Sequence, residues 1–415
     1  MKKELYISLV VAVIWTSLLL AQGGWGWHDA APMNTARAQH IGAVVDGRIY
    51  VFGGRTFDGR RYVPLSSVEV FEPDSNRWVE REPMPYPLYQ AGIATIGRYI
   101  YIFGGMIENN GHPIDSVMVY DTERDLFRVV DRMPEARYAM GAVSVGRSII
   151  VMGGIRLNGI RREDVNTGFW YDPTHNEWQD APPLPTRRSN FGMTFGPQTV
   201  WVVGGLPPTN RVTHLLGERW REMEPLPIGC GAPGTVFLHD TLVVAGGMGR
   251  GQNQSGILRS VFGCHPEDNS WMRMPEMAQA RSSFVFVELD DTLFAIGGLG
   301  HPGNGRNVVI LDAVEKYNYI EPDCVYTPLD PPETMNHTVA ALLNPTNGVI
   351  RFHLPQKSVT IRIINITGRI VIDKAIQGGG IWAWNSRNHP AGTYLYVITS
   401  MLGQSRYTGK FVVIK

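Results

Sequence analysis

Charge of one sign, cysteine and helix-period hydrophobicity are what this chain has least of. Its 415 residues carry 38 basic and 38 acidic side chains, a formal net charge of zero. That balance provides no bulk pull on nucleic acid or on a polyanion, and no nucleic-acid partner is expected. Cysteine occurs three times, at Cys230, Cys264 and Cys324, without C-x-x-C spacing. An odd count at those spacings argues against a disulfide framework or a structural zinc site, leaving room for one incidental disulfide. Apolar residues at helical period are almost absent while glycine numbers 46, a composition suited to an all-β chain. No H-E-x-x-H, G-x-S-x-G, P-loop or dinucleotide fingerprint occurs, so no motif calls for a metal or a cofactor, and none is expected.

Long hydrophobic runs are also scarce. The exception, Leu5 to Leu20, follows Lys2-Lys3 and precedes Ala21. A basic start, an apolar stretch shorter than the roughly 20 residues of a comfortable span, and a small residue suited to cleavage read as a signal peptide over 1–21. No cysteine follows that stretch, which argues against a lipoprotein. The mature chain is expected to have no transmembrane span.

What is present is a repeat. Arg48-Ile-Tyr-Val-Phe52 runs into Gly53-Gly54, and the same shape ends at Gly104-Gly105, Gly153-Gly154, Gly204-Gly205, Gly246-Gly247 and Gly297-Gly298. The first glycines are separated by 51, 49, 51, 42 and 51 residues, a period that points to a propeller, solenoid or array. Upstream of each pair, a turn such as Asp46-Gly47 joins an earlier strand such as Ile41-Gly-Ala-Val-Val45, as a β-hairpin requires. Downstream lies a third strand, such as Val68-Glu-Val-Phe71. An aromatic seven residues beyond its end opens a fourth: Trp78 after Phe71, Phe127 after Tyr120, Trp178 after Tyr171, Trp271 after Cys264. Each unit is thus a four-stranded meander closed by Met-Pro or Leu-Pro. The paired glycines are expected to admit close approach by the fourth-strand aromatic. Six such sheets set radially bury one another and leave only short edges. Repeat four is short and lacks an aromatic-Asp-Pro before Trp220, so its third strand or the loop before it is trimmed.

The diglycines, the aromatics Phe71, Tyr120 and Tyr171 before acidic residues, and the tryptophans resemble the kelch family of β-propellers over about residues 25 to 335. The resemblance implies a six-bladed propeller within 22–335. Trp27 to Pro32 repeats the separation of Trp78 to Pro83, so the N-terminal stretch is expected to supply the fourth strand of blade six. The competing assignment is Tyr326-Thr-Pro-Leu-Asp-Pro. Between each Met/Leu-Pro and the next first strand the register gives Arg37, Leu88, Arg137, Arg188, Cys230 and Arg281. Strand direction alternates in a meander, so the loops after the diglycines reach the same face, adding Arg55, Arg156, Arg250 and His301. Tyr89 and Tyr138 adjoin the ring. Guanidinium groups around a channel mouth suit carboxylate or sulfate ligands; the same arginines could instead brace neighbouring blades. Kelch propellers bind partners at this mouth, which implies a protein or glycan ligand. Some kelch-like propellers are copper oxidases or sialic-acid epimerases, and Cys230, Tyr89, Tyr138, His112 and His301 could fall on one face. A secreted enzyme of either type is therefore the alternative to a non-catalytic binding protein.

Beyond a Pro-rich linker the diglycines stop. Ile350, Phe352 and Leu354 share a face, and Val359-Thr-Ile-Arg-Ile363 alternates with Arg362 outward, the pattern of a small β-sandwich of immunoglobulin type over 336–415. Asn344-Pro345, Gly368-Arg369, Gly392 with Tyr394, and the terminal Lys410-Phe-Val-Val-Ile-Lys415 resemble the C-terminal sorting domain of the type IX secretion system. This implies recognition by the secretion machinery and a place on the outer-membrane surface or in the medium.

Overall fold

The computed structural model describes residues 26–318, apart from 109–110, 251–254, 268 and 302–306, together with the strands of a C-terminal segment. Residues 1–25, on which the expected signal peptide falls, Cys324, and Tyr326 to Pro331 lie outside the described residues. The chain divides into two compact units, Met1–Tyr319 and Ile320–Lys415.

The first unit is built of antiparallel four-stranded sheets. Blade one comprises Ile41–Val45, Arg48–Phe52, Val68–Glu72 and Arg77–Arg81; blade two, Gly92–Ile96, Tyr99–Phe103, Ser116–Asp121 and Leu126–Arg132. Blade three is Gly141–Val145, Ser148–Met152, Gly168–Asp172 and Glu177–Ala181; blade four, Gly192–Gly196, Thr199–Val203, Val212–Leu216 and Arg219–Glu222. Blade five is Gly234–Leu238, Thr241–Ala245, Val261–His265 and Ser270–Met274. Blade six takes Val285–Leu289, Thr292–Gly300 and Val309–Asn318 from one end of the unit and His28–Ala30 from the other. His28, Asp29 and Ala30 pair with Lys316, Glu315 and Val314. First strands of neighbouring blades touch all the way round, blade six against blade one included. Strand one therefore lines the axis and strand four the rim.

Two-residue alternation explains why such sheets stack. In blade one, Ile49 and Val51 pack with Val285, Phe294 and Ile296 of blade six, while Tyr50 and Phe52 pack with Ile100, Ile102 and Tyr120 of blade two. Both faces of a strand are apolar because both meet a neighbour. The seven-residue aromatic spacing has a plain geometric cause: a four-residue turn sets Phe71 opposite Trp78, Tyr120 opposite Phe127 and Tyr171 opposite Trp178. Their ring centroids lie 5.2, 4.6 and 4.5 Å apart. Blade four keeps a full third strand; the trimming is in its connections. Val68 follows Gly53 by 15 residues, but Val212 follows Gly204 by 8, and the next turn is cut to Gly217-Glu218.

The second unit carries two antiparallel sheets. One orders Ala341–Leu342, Val349–Leu354 and Gly380–Asn385; the other orders Ile370–Ile376, Val359–Asn365, Gly392–Ser400 and Arg406–Val413. Ile361 and Ile363 are fully buried, and Arg362 between them turns outward to Asp373, 2.6 Å away. Gly392 and Tyr394 open the central strand, opposite Val413 and Phe411. Asn344, Pro345, Gly368 and Arg369 lie outside the described residues.

Candidate functional site

The loops that follow strands two and four meet on one face of the propeller. Bridges between Ala38 and Arg55, Tyr89 and Met106, and Tyr138 and Ile155 tie them together there. Nearest the axis, Gln39, Gln90, Ala139, Asn190, Ala232 and Ser283 form a closed circle. Each N–H donates to the carbonyl of its counterpart in the previous blade, at 2.6 to 3.2 Å, Gln39 returning to Ser283. All six are left-handed, with φ between 48° and 58°, a conformation unusual for residues other than glycine. The Gln90 amide then donates to Asn190 Oδ1 at 2.9 Å, linking blade two to blade four within this circle.

One step outward is the position that the repeat register assigns to arginine. In every blade the second diglycine N–H donates to the carbonyl of this residue in the next blade: Gly54 to Leu88, Gly105 to Arg137, Gly154 to Arg188, Gly205 to Cys230, Gly247 to Arg281 and Gly298 to Arg37, at 2.7 to 3.0 Å. A Cβ on Gly104 would lie 2.5 Å from the Arg137 carbonyl, at φ +55°. The glycines thus admit a neighbour's backbone and the methionine of Met-Pro, not the fourth-strand aromatic expected from the sequence.

The arginine side chains turn inward. Arg37, Arg137, Arg188 and Arg281 are at most 2% exposed. They do not form a ligand ring at the mouth. Their Nη1 atoms donate to the first diglycine carbonyl of their own blades, Gly53, Gly153, Gly204 and Gly297, at 2.9, 3.3, 3.4 and 2.9 Å. Arg37 pairs with buried Glu69, and Arg281 with buried Glu315 at 2.7 Å. Arg137 rests on the Phe169 ring, 4.8 Å from its centroid, and meets Glu135 at 2.7 Å. Arg188 meets only Thr186 beyond its carbonyl, at 2.9 Å, and burial lowers its pKa to about 10. All four side chains brace the loop to the diglycine of the same blade, while the backbone carbonyl of each arginine makes the bond to the neighbouring blade.

The rim adds a third belt. Tryptophan Nε1 atoms of outer strands donate to the end of the preceding outer strand: Trp78 to Ala31, Trp178 to Asp131, Trp220 to Pro182 and Trp271 to Glu224, at 2.8 to 2.9 Å. Trp27 does the same to Pro275 at 2.9 Å. Blade two has Phe127 here and no N–H to give.

What remains at the mouth includes two projecting hairpins, Arg55–Phe57 with Tyr62–Pro64 and Ile155–Asn158 with Arg161–Asp164, and a third in blade five, Met248–Arg250 with Ser255–Ile257. The first two flank the shorter connection of blade two. The Arg55 guanidinium lies over Tyr62 at 5.1 Å and over Tyr89 at 4.5 Å, and Arg162 lies over Tyr138 at 5.8 Å. Tyr89 and Tyr138 are buried with Met106 and Ala139 rather than exposed. Burial raises both phenol pKa values, keeping them protonated donors; the Tyr89 hydroxyl donates to the Glu108 carbonyl at 3.0 Å. Arg156 is held between Glu135 and Glu163, at 2.7 and 3.2 Å. His301 Nδ1 lies 3.2 Å from the Asn307 carbonyl. Arg250 pairs through its backbone with Gly229 and Ser255. Arg162 was not singled out in the sequence; its two-residue offset from the hairpin turn is the signal that would have found it.

The copper-oxidase constellation does not fit. Cys230 is 3% exposed, and burial pushes its thiol up to about 12. It lines a void of about 10 Å³ with Leu226, Ile228, Val244, Gly246, Leu258, Ser260 and Phe262. No tyrosine or histidine is among them, and the void lies where an arginine would reach for Gly246 and Ser260. Among the described residues no three His, Cys, Asp or Glu side chains are grouped to hold a metal.

Residues 90–298 match the KLHDC2/KLHL20/DRC7 kelch-repeats domain and residues 36–85 the kelch motif. The chain belongs to the kelch-repeat family. Residues 344–415 match the secretion system C-terminal sorting domain, so this kelch protein carries a type IX export address. Among similar proteins, the kelch-like protein terF of Aspergillus terreus is 26% identical over 288 residues, 64% of this chain and 50% of its own length. Kelch-like protein 35 of Mus musculus is 30% identical over 268 residues, 64% of this chain and 36% of its own. Beta-scruin of Limulus polyphemus is 26% identical over 179 residues, 43% of this chain and 14% of its own. The kelch protein thus spans half or less of the length of these relatives. A structure titled "Structure of YjhT" aligns with a TM-score of 0.56 at 17% identity, over 69% of this chain and 96% of that one, a likeness of fold. No helix among the described residues is long and apolar enough to cross a membrane.

Proposed function

We propose that this protein is an exported, non-catalytic binding protein whose propeller mouth takes an acidic protein or glycan ligand. In this reading residues 1–21 are a signal peptide, and the C-terminal unit delivers the propeller to the outer-membrane surface or the medium. The observation that carries the binding role is the row Tyr62, Arg55, Tyr89, Arg162, Tyr138 at the mouth, in which guanidinium groups are held on phenol rings. Stacking of this kind orients the planar fork for carboxylate or sulfate while the rings limit its freedom. Arg156, on the same hairpin as Arg162, borders the row. Nothing in it resembles a paired general acid and base.

The test is retention of the purified chain on immobilised alginate, heparin and dextran, with metal content measured on the same preparation. Retention on the two acidic matrices and not on dextran, with earlier elution of Arg162→Ala, is expected. Equal elution from all three matrices, or stoichiometric copper in the preparation, overturns the reading.

A further inference from the structure

The net charge of zero conceals two unlike faces. The mouth-side hairpin of blade one carries Arg55, Arg60 and Arg61 against Asp58, and that of blade three Arg156, Arg161 and Arg162 against Glu163 and Asp164. Arg60, Arg61, Arg161 and Arg162 are exposed, and Arg61 meets Asp58 only at 3.9 Å. The turns of the opposite face hold Asp46, Asp74, Asp125, Asp240, Asp290 and Asp291, against Arg98, Arg124 and Arg147.

Exposed apolar side chains follow the basic face. Phe57, Tyr62, Ile160, Met248 and Val308 are 52%, 43%, 100%, 41% and 50% exposed. All five lie between strands two and three of blades one, three, five or six. The described parts of the shorter connections in blades two and four expose no large apolar residue. Ile160 occupies the turn of its hairpin beside Gly159, and Phe57 packs against Tyr62 across the first, their rings tilted and 5.5 Å apart between centroids. Elsewhere in the propeller Leu126, Val129, Phe195 and Leu216 are exposed without a basic hairpin around them.

The partner must accept several apolar tips spaced around a ring, those of blades one and three beside exposed arginines. A folded protein would meet one contiguous apolar patch, and here the tips stand on separate hairpins. A hydrated polysaccharide gives nothing to an aliphatic side chain as bare as Ile160. A bilayer interface receives such tips between its headgroups and offers phosphates to the guanidiniums beside them. We propose that the mouth face docks this protein onto a bilayer whose outer leaflet is anionic, with the acidic face turned away. This rests on the mouth being the binding face and adds a lipid surface, met by the hairpin tips, to the acidic ligand proposed for the arginine–tyrosine row.

Flotation of the full chain with vesicles tests it, using phosphatidylcholine alone and a three-to-one mixture with phosphatidylglycerol. The protein floats with the mixed vesicles, stays behind with the neutral ones, and is released as salt is raised. Phe57→Ser with Ile160→Ser, and separately Arg60→Glu with Arg161→Glu, each lower flotation by roughly tenfold or more while melting is unchanged. Failure to float with anionic vesicles overturns the inference, and so does flotation that both double variants retain. If the chain ignores vesicles yet is held by alginate or heparin through Arg162, the lipid partner falls and the binding role stands. If neither occurs, both fall.

Discussion

Arginines of the ring interior and arginines of the crown have the same chemistry and opposite lives. Arg37 and Arg281 have no exposed surface and are spent on diglycine carbonyls and buried carboxylates. Arg162, one loop away, is exposed and rests on a tyrosine ring. All four buried arginines find the first diglycine carbonyl 16 residues on, which the hairpin arginines lack; what varies among the four is strand three. Glu69 and Glu315 occupy matching places in blades one and six, where blades two to five have Met118, Phe169, Thr213 and Phe262. A carboxylate there adds a buried ion pair to a strut that Arg137 and Arg188 form without one. Where the register residue is Leu88 or Cys230, the backbone bond from the diglycine persists alone. The interblade clamp is therefore a main-chain device that arginine reinforces in four of its six occurrences.

The comparison can be broken first at Arg281. Arg281→Ala leaves Glu315 buried without its cation, and chemical denaturation should show a loss of about 3–5 kcal/mol. Gly104→Val tests the main-chain half: strain at positive φ and collision with the Arg137 carbonyl should cost about 3 kcal/mol by the same measurement. A cost near zero would mean the clamp is not where stability resides.

His40 sharpens the comparison at the closing seam. It occupies a position held by Ala91, Met140, Phe191, Pro233 and Phe284 in the other blades. Burial, then the nearby Arg37, push its pKa down to about 3. The folded state thus binds a proton less readily than the unfolded chain. The His40 contribution is constant above the unfolded pKa of about 6.5 and erodes as pH falls towards 3, at about 1.4 kcal/mol per unit. Denaturation midpoints at stepped pH should show about 2 kcal/mol lost by pH 5 from this group, and His40→Phe should remove that portion of the slope.

Arg188→Met should cost less, about 1–2 kcal/mol, because it forfeits hydrogen bonds without leaving a charge unpaired. Arg162→Ala on the crown should change stability by under about 0.5 kcal/mol while weakening retention on acidic matrices. A large loss of stability there would make Arg162 a strut as well.

The fold was legible because the diglycine strand is dictated by backbone geometry at every interface, which forces one residue type at six places. The arginine positions were legible too, but their direction was not. Register places a Cα on a face, and whether a long side chain leaves that face depends on acceptors 16 and 30 residues further on, as Gly53 and Ser67 are for Arg37. The tyrosines went the same way: Tyr89 and Tyr138 sit beside the ring as expected, but the bridges to Met106 and Ile155 draw them inward. The hairpin arginines escape the repeat register although Gly53 to Val68 and Gly153 to Gly168 both span 15 residues and set Arg61 and Arg161 at the same offset, because neither lies on a propeller strand that the register tracks.

The N-terminal strand in blade six has a consequence for force. Val309–Asn318, the last described strand of the propeller, is held on one side by Thr292–Gly300 and on the other by His28–Ala30. A pull applied through the C-terminal segment, as from a surface to which that segment is anchored, would load this strand lengthwise between two ladders. Its hydrogen bonds would have to fail together in shear instead of parting one by one from an edge. Were the same strand the outermost of its blade, tension would peel it. The lifetime of the ring under load is a matter of unfolding rate rather than equilibrium stability, and His28–Ala30 sit where their ladder would slow that rate.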